Sequence, residues 1–329
     1  MSKKTNPTLT AAEKSYVRSL FFKRYGIGFI MVAMIVLLSV TTKRFLTAGN
    51  ILNVLSTISI NGCIALGMVF VITAGGIDLT VGAMLAWGSV VIGMLLEHFG
   101  TVQSIPLVCA IAILSCGVMG LVNGVLISQF DLFPFVVTLA MQLVIRGLAT
   151  ALCGGYSFAV AVTEFTQIGL GKLGGMVPYP AIILVILCII AYFLMHWTKF
   201  GRYVYAVGGN VNAAIAAGVN VYWTRAMTYV LSGLFTGVAA ILMTAKINAS
   251  QPNVGVGYET DAIAACVIGG TSFAGGVATI PGTVMGIIII GLIYNGMNLI
   301  GIESYWQTVC KGLLIVIAVL LDKFVNQKR

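Results

Sequence analysis

The sequence predicts an all-α, polytopic membrane protein of about ten spans with both ends in the cytoplasm, and three observations carry that prediction. Apolar residues make up 59% of the 329 positions and charged residues only 8%, where a soluble domain carries about 25% charged residues. Near-continuous apolar stretches recur at about the 20-residue length that a bilayer core of roughly 30 Å demands. Lysine and arginine then fall mostly on one side when the stretches are threaded alternately, as the positive-inside rule requires.

Residues 1–25 form a basic cytoplasmic segment with Lys3, Lys4, Lys14, Arg18, Lys23 and Arg24. Tyr16, Leu20 and Phe21 suit a short amphipathic helix lying on lipid, and the composition suits a poorly ordered tail equally well. A single transmembrane domain follows over 26–325, and 326–329 is a short tail. The first span, near 26–42, stands after two basic residues as a signal peptide's apolar core would. No small-x-small cleavage site follows it and many more spans do, so it reads as an uncleaved span.

Spans near 51–74 and 79–98 are parted by a Gly-Gly-Ile-Asp turn, and those near 106–127 and 132–153 by a short polar break. After a longer outer loop comes 178–197, then a cytoplasmic interruption over 198–225, then 226–247. A short, Gly-rich stretch near 261–275 reads as the eighth span, followed by 280–300 and 305–322. This threading keeps Lys199, Arg202, Arg225, Lys323, Lys328 and Arg329 inside, and leaves Lys43, Arg44, Lys172, Lys246 and Lys311 outside.

The net charge of +9 does not indicate nucleic acid, because the cations stand beside membrane ends and form no single basic stripe. Seven cysteines lie within or beside apolar stretches without CxxC spacing, which fits packing and neither disulfides nor metal ligation. Gly169 to Gly174 satisfies GxGxxG, but it follows no strand of a βαβ unit and lies in an outer loop, so it is no dinucleotide site.

The 198–225 segment holds a small-residue helix between glycines. Asn210 can cap it, Ala213, Ala214, Ala216 and Ala217 favour it, and Gly218 can end it. A short alanine-rich helix with no lipid to face suits a groove on a cytoplasmic partner, although an ordinary connection would look the same. Here the chain resembles the permease subunits of bacterial ABC sugar importers of the ribose, galactose and xylose type. The resemblance is carried by Gly201, Arg202, Tyr203, Tyr205, Ala206, Gly208, Gly209, Asn210, Gly218, Asn220 and Val221. It continues in order through Gly75-Gly76-Ile77-Asp78-Leu79-Thr80, Tyr258-Glu259-Thr260-Asp261, Gly269-Gly270-Thr271-Ser272 with Gly275-Gly276, and Tyr305-Trp306-Gln307 with Lys311-Gly312.

The resemblance implies a pathway formed by two permease subunits, a homodimer or a pair of paralogues, in the bacterial inner membrane. It also implies a cytoplasmic ATP-binding subunit below and an extracytoplasmic sugar-binding protein above. The coupling residues would be Gly208, Gly209, Asn210, Ala213, Ala214, Ala217, Gly218 and Asn220. The family pattern usually places Glu after Gly-Gly-Asn and a basic residue later in that helix, whereas this chain has Val211 and Ile215. Polar anchoring to the ATPase is therefore expected to be weaker or differently arranged. The chain has no GxxxxGK[ST] loop, so ATP and magnesium are expected on the partner, with no cofactor, metal or catalytic residue on this chain.

Val71 to Gly76 and Cys266 to Gly270 each end a span on the cytoplasmic side, a weak internal repeat of parallel orientation. Gly75, Gly76, Asp78, Gly269, Gly270 and Thr271 are the gate candidates, with Asp78 read first as a cap of the following span. Sugars are neutral and hydroxyl-rich, so a pathway needs amides, hydroxyls and aromatic faces. Asn61, Thr73, Gln142, Asn248, Tyr294, Asn295 and Asn298 are the candidates, with Arg146 as a cation inside the fifth span. Glu97, Glu164, Glu259, Asp261 and Glu303 are expected as outer acids, either solvated or facing the binding protein. A self-contained secondary transporter is the alternative, disfavoured because acids and histidines sit at span ends. A membrane enzyme is disfavoured by the absence of HExxH, GxSxG or paired aspartates.

Overall fold

The computed structural model describes residues 28, 29 and 31–326, so the readings made for residues 1–25 lie outside it. It is a helical bundle. Its helices are α1 (Met31–Thr41), α2 (Ala48–Thr73), α3 (Val81–Phe99), α4 (Ile105–Gln129), α5 (Pro134–Leu152), α7 (Tyr179–Trp197), α10 (Val221–Ile247), α11 (Tyr258–Ile268), α12 (Ile280–Ile300) and α13 (Ser304–Asn326). Helices α6 (Thr163–Leu170), α8 (Lys199–Gly209) and α9 (Val211–Ala216) lie between them. Among the described residues, α2, α3, α4, α5, α7, α10 and α12 are long and apolar enough to cross a membrane.

The expected span over 261–275 is not one helix. With 11 residues, α11 rises only about 16 Å, roughly half a bilayer core, and irregular backbone continues from it to Ile280. Its end is chemically determined. Gly270 has φ +89°, its N–H donates to the Val267 carbonyl at 2.9 Å, and the Thr271 N–H donates to the Cys266 carbonyl at 2.9 Å. This is the glycine-terminated pattern that satisfies the last carbonyls of a helix. Non-helical backbone at membrane depth persists only where protein or water covers it. Here Gly269 packs against the Gly282 and Thr283 backbone of α12.

Burial sorts the helices into centre and periphery. The apolar stretch of α2 is 83% buried, against 17% for α7 and 22% for α5. The centre is held by small residues. Cβ atoms at Gly120 and Gly124 of α4 would lie 2.2 Å from the Tyr229 carbonyl oxygen and 2.7 Å from Ala226 Cα. Those at Gly233 and Gly237 of α10 would lie 2.3 Å from the Cys116 carbonyl oxygen and 2.6 Å from Ile113 Cα. Lipid is as apolar as leucine, so association depends on such close packing. Gly282 and Gly286 do the same for α12 against α11. Cys116 and Cys266 donate their thiols to the Met84 and Ala65 carbonyls across neighbouring helices.

The loops divide into two faces. On the inner face, named for the basic residues it carries, α8 fills part of what reads in sequence as one interruption. There α10 begins at Val221, earlier than expected, because the Asn220 side chain caps it by accepting from the Trp223 N–H at 3.1 Å. On the outer face, strand β1 (Phe158–Ala159) pairs antiparallel with β4 (Ala249–Ser250), and β2 (Lys172–Leu173) with β3 (Val177–Pro178). The GxGxxG stretch is spent there. Gly169 lies in α6 against the Ala245 and Lys246 backbone, and the residues after it enter the β2–β3 hairpin.

Candidate functional site

Three glycine-rich segments meet on the inner face. At the end of α2, the Gly75 N–H donates to the Ile72 carbonyl and the Gly76 N–H to the Val71 carbonyl, both at 2.9 Å, with Gly75 at φ +82°. The end of α11 repeats this pattern, so the resemblance between the two half-sequences is a resemblance of helix terminations. The segment after α11 then returns to α2, where the Gly276 N–H donates to the Thr73 carbonyl at 2.9 Å. Onto this contact sits Gly208, where a Cβ would lie 1.7 Å from the Thr73 carbonyl oxygen and 2.6 Å from the Gly276 nitrogen. The Tyr205 hydroxyl ties α8 to the same segment by donating to the Ala278 carbonyl at 2.8 Å, and burial pushes that hydroxyl's pKa above its ordinary value.

From this junction α9 projects. Asn210 accepts from the Ala213 N–H at 3.0 Å, and Gly218 closes the helix at φ +77° with its N–H donating to the Ile215 carbonyl. Asn210, Asn212, Ala213, Ala216, Ala217, Gly218 and Asn220 are exposed, as is Ile215 at 58%. Ala214 is buried at 3% and Gly208 is packed. The coupling candidates therefore divide into an exposed surface and a supporting layer, with Gly209 at the exposed edge.

Asp78 stands beside the junction, wholly buried. One carboxylate oxygen accepts from the Thr80 N–H at 3.0 Å and from the Thr80 hydroxyl, and the other accepts from the Ser232 hydroxyl at 2.8 Å. The Asn123 side chain donates to the Thr80 hydroxyl at 2.8 Å, and the Tyr229 hydroxyl donates to the Ile77 carbonyl at 3.2 Å. Burial raises the Asp78 pKa, and the bonds from Thr80 and Ser232 act against that rise. Asp78 thus fixes the start of α3 against α4 and α10. Ser232 and Asn123 give no sign of this role in sequence, since each is one polar residue in an apolar helix. Thr271 is buried, and its hydroxyl has no partner among the described residues.

Three of the eight polar residues considered for a pathway, Asn295, Asn298 and Tyr294, bond between helices. Asn295 and Asn50 exchange amide bonds at 2.7 and 3.0 Å, joining α12 to α2. Asn298 accepts from Gln307 of α13 at 2.8 Å. Thr73 donates back to the Val69 carbonyl, and Asn248 ends α10 at φ +57°. The Tyr294 hydroxyl donates to Asp261 at 2.7 Å.

Two of the acids expected on the outer surface are inside. Glu259 is 9% and Asp261 4% exposed. Asp261 pairs with Lys311 at 2.7 Å, and Lys311 also donates to the Gly257 carbonyl at 3.0 Å and lies 5.5 Å from the Tyr294 ring centre. α11 starts within the bundle, so acids in its first turn are carried below the surface. Glu97, Glu164 and Glu303 are exposed. Gln142 and Arg146 on α5 are half-buried, as is Asn61 on α2, whose side-chain oxygen has no partner among the described residues.

Comparison with known proteins adds identity to this geometry. A family model described as the permease component of the branched-chain amino acid transport system matches residues 50–319. The chain is 43% identical over 293 residues to the ribose import permease protein of Bacillus subtilis (strain 168), covering 88% of this chain and 89% of that one. It is 36% identical to the ribose import permease protein of Escherichia coli (strain K12), covering 96% and 98%. The L-arabinose ABC transporter permease protein of Azospirillum brasilense is 36% identical, with 93% and 89% covered. No solved structure matches the chain.

Proposed function

This chain belongs to the family of permease components of bacterial ABC sugar importers, and from that premise we propose that it forms the inner-membrane pathway for a monosaccharide of the pentose or hexose kind. A second permease, identical or paralogous, completes the pathway within the bilayer. An extracytoplasmic binding protein delivers the sugar to the outer face. A cytoplasmic subunit carrying ATP and magnesium docks on the exposed surface of α9.

The observation that carries this reading is the contact of Gly208 with the Thr73 carbonyl and Gly276. The helix that would meet the ATPase is linked, through the close-packed Gly208 of α8, to the end of α2 and to the segment that leads from α11 to α12. Closure of the ATPase pair would displace α9 and α8 together. Gly208 leaves no slack between α8, the end of α2 and the Gly276 segment, so the displacement would pass into α2, the most buried of the seven membrane-length helices, and along the segment that follows α11. Rigid contacts of this kind pass small shifts on to bistable packing rather than absorbing them. The chain would then alternate between outward and inward access without any chemistry of its own.

Isolation of the chain from its native membrane in mild detergent, with mass spectrometry of what copurifies, tests the assignment. Recovery of an ATPase together with ATP-dependent sugar uptake in reconstituted liposomes is the expected result. Isolation of the chain alone, with transport in liposomes lacking ATP, would overturn it.

A further inference from the structure

Helix α11 is bounded by glycines in the left-handed region, Gly255 and Gly257 at φ +79° and +83° before it and Gly270 at φ +89° after it. Glycine turns the chain there without side-chain strain, so this short helix is jointed at both ends. Its first turn carries two acids, Glu259 and Asp261, and both are buried. A charge inside a membrane bundle is costly and calls for a counter-ion. Each acid has a cation in electrostatic range on a different helix, Lys311 of α13 for Asp261 and Arg146 of α5 for Glu259.

Only one of these two pairs is made. Asp261 is bonded to Lys311 at 2.7 Å and to the Tyr294 hydroxyl at 2.7 Å. Lys311 also fastens the joint by donating to the Gly257 carbonyl at 3.0 Å. Glu259 has one oxygen on the Gly257 N–H at 3.2 Å. Its other oxygen is buried without a partner among the described residues, and it occupies the room that a Cβ at Gly82 of α3 would take. Arg146 is in the matching condition. One terminal nitrogen donates to the Pro252 and Val254 carbonyls at 2.9 and 3.2 Å, and the other is buried without a partner among the described residues. Buried polar groups are bonded as a rule, and here an unpaired carboxylate oxygen and an unpaired guanidinium nitrogen lie within each other's field.

We propose that α11 is a two-position rocker, seated on Lys311 of α13 in this structure and on Arg146 of α5, through Glu259, in the alternate conformation of the transport cycle. Gly255 and Gly257 are the pivot. The partner helix α5 is peripheral, with only 22% of its apolar stretch buried, so it follows such a movement with little repacking. Exchanging one buried ion pair for another favours the two end positions over anything between them, which gives a switch in place of a continuous deformation. The inference rests on the permease reading and adds to it the element that receives the displacement arriving along the segment after α11.

The full importer reconstituted in nanodiscs tests the rocker by hydrogen exchange and mass spectrometry of peptides covering residues 255–261, without nucleotide and after trapping with ATP and vanadate. In the parent, exchange is expected to differ roughly tenfold between the two states. In E259Q, which removes the charge and keeps the shape, that difference should vanish and ATP-driven uptake should fall roughly tenfold, with the ATPase still bound. R146Q should behave alike, and R146Q/E259Q should lose no more than the worse single variant, because all three remove one contact. Should R146Q fail to fold, E259Q decides alone. Identical exchange in the two parent states would overturn the proposal, as would parental uptake by E259Q or losses that add in the double variant, which would make the pair static or its members independent. Uptake by the parent is measured in liposomes from the same preparation. Its presence with unchanged exchange rejects the rocker alone, and its absence rejects the importer reading itself.

Discussion

Adding one methyl group to either of two adjacent glycines is expected to have opposite outcomes. In Gly208→Ala the new Cβ would lie 1.7 Å from the Thr73 carbonyl oxygen, whereas at Gly209 no atom lies within 4 Å. Real contacts of this kind stay beyond 3.0 Å, so α8 must retreat from α2 by more than 1 Å. Overpacking of a well-filled site costs about 1–3 kcal/mol. If the retreat also breaks the Gly276 N–H to Thr73 carbonyl bond, a further ~1–3 kcal/mol is lost from unsatisfied buried groups. Both changes carry the same gain in helix propensity, about 1 kcal/mol, so it cancels in the comparison. The assay is ATP-driven uptake and sugar-stimulated ATP hydrolysis by the reconstituted importer, with copurification of the ATPase as a control. Gly208→Ala should lower coupled transport at least tenfold, the equivalent of about 1.4 kcal/mol, while Gly209→Ala stays near the parent. Equal activity of the two variants would refute the role of this contact in transmission.

The buried ion pair gives a second expectation. Lys311→Met should lower the thermal midpoint of the purified protein sharply, since it strands Asp261 at a cost of about 3–5 kcal/mol. The double variant with Asp261→Asn should recover part of that loss, and a double variant no better than the single would contradict the pairing. Gly120→Ala, with a Cβ 2.2 Å from the Tyr229 carbonyl oxygen, should reduce the folded yield in membranes, whereas Gly147→Ala should not; fluorescence size-exclusion of tagged protein reads both. The reciprocal amides of Asn50 and Asn295 should show a coupling of about 0.6 kcal/mol in a double-mutant cycle, measured by reversible unfolding in mixed micelles. Replacement of exposed Ile215 by Asp should release the ATPase during purification with little change in the thermal midpoint, because most of that side chain faces outward.

By itself, the sequence determined the class of fold, the family and the punctuation of the chain. Hydrocarbon admits helices that satisfy their own backbone, so apolar length alone reveals spans such as α2 and α12. Capping is equally local, which is why Asn210 and Gly218 bound α9 as their chemistry indicates. The matching ends of α2 and α11 follow from glycines that permit a positive φ. Only the tertiary structure decided which polar residues are free. Asn295, Asn298, Tyr294 and Asp261 are indistinguishable in sequence from cargo contacts, and they become structural when Asn50, Gln307 and Lys311 arrive from other helices. It also decided that the eighth apolar stretch stops halfway, because the backbone beyond Gly269 is covered by α12, α8 and the end of α2. Gly208 gives the same lesson: in the sequence it is one of two adjacent glycines, and only the arrival of Thr73 and Gly276 separates it from its neighbour. A residue's partners across a bundle depend on which helices and turns meet in space, as when Asn50 reaches Asn295 from 245 positions away, and no local pattern records that meeting.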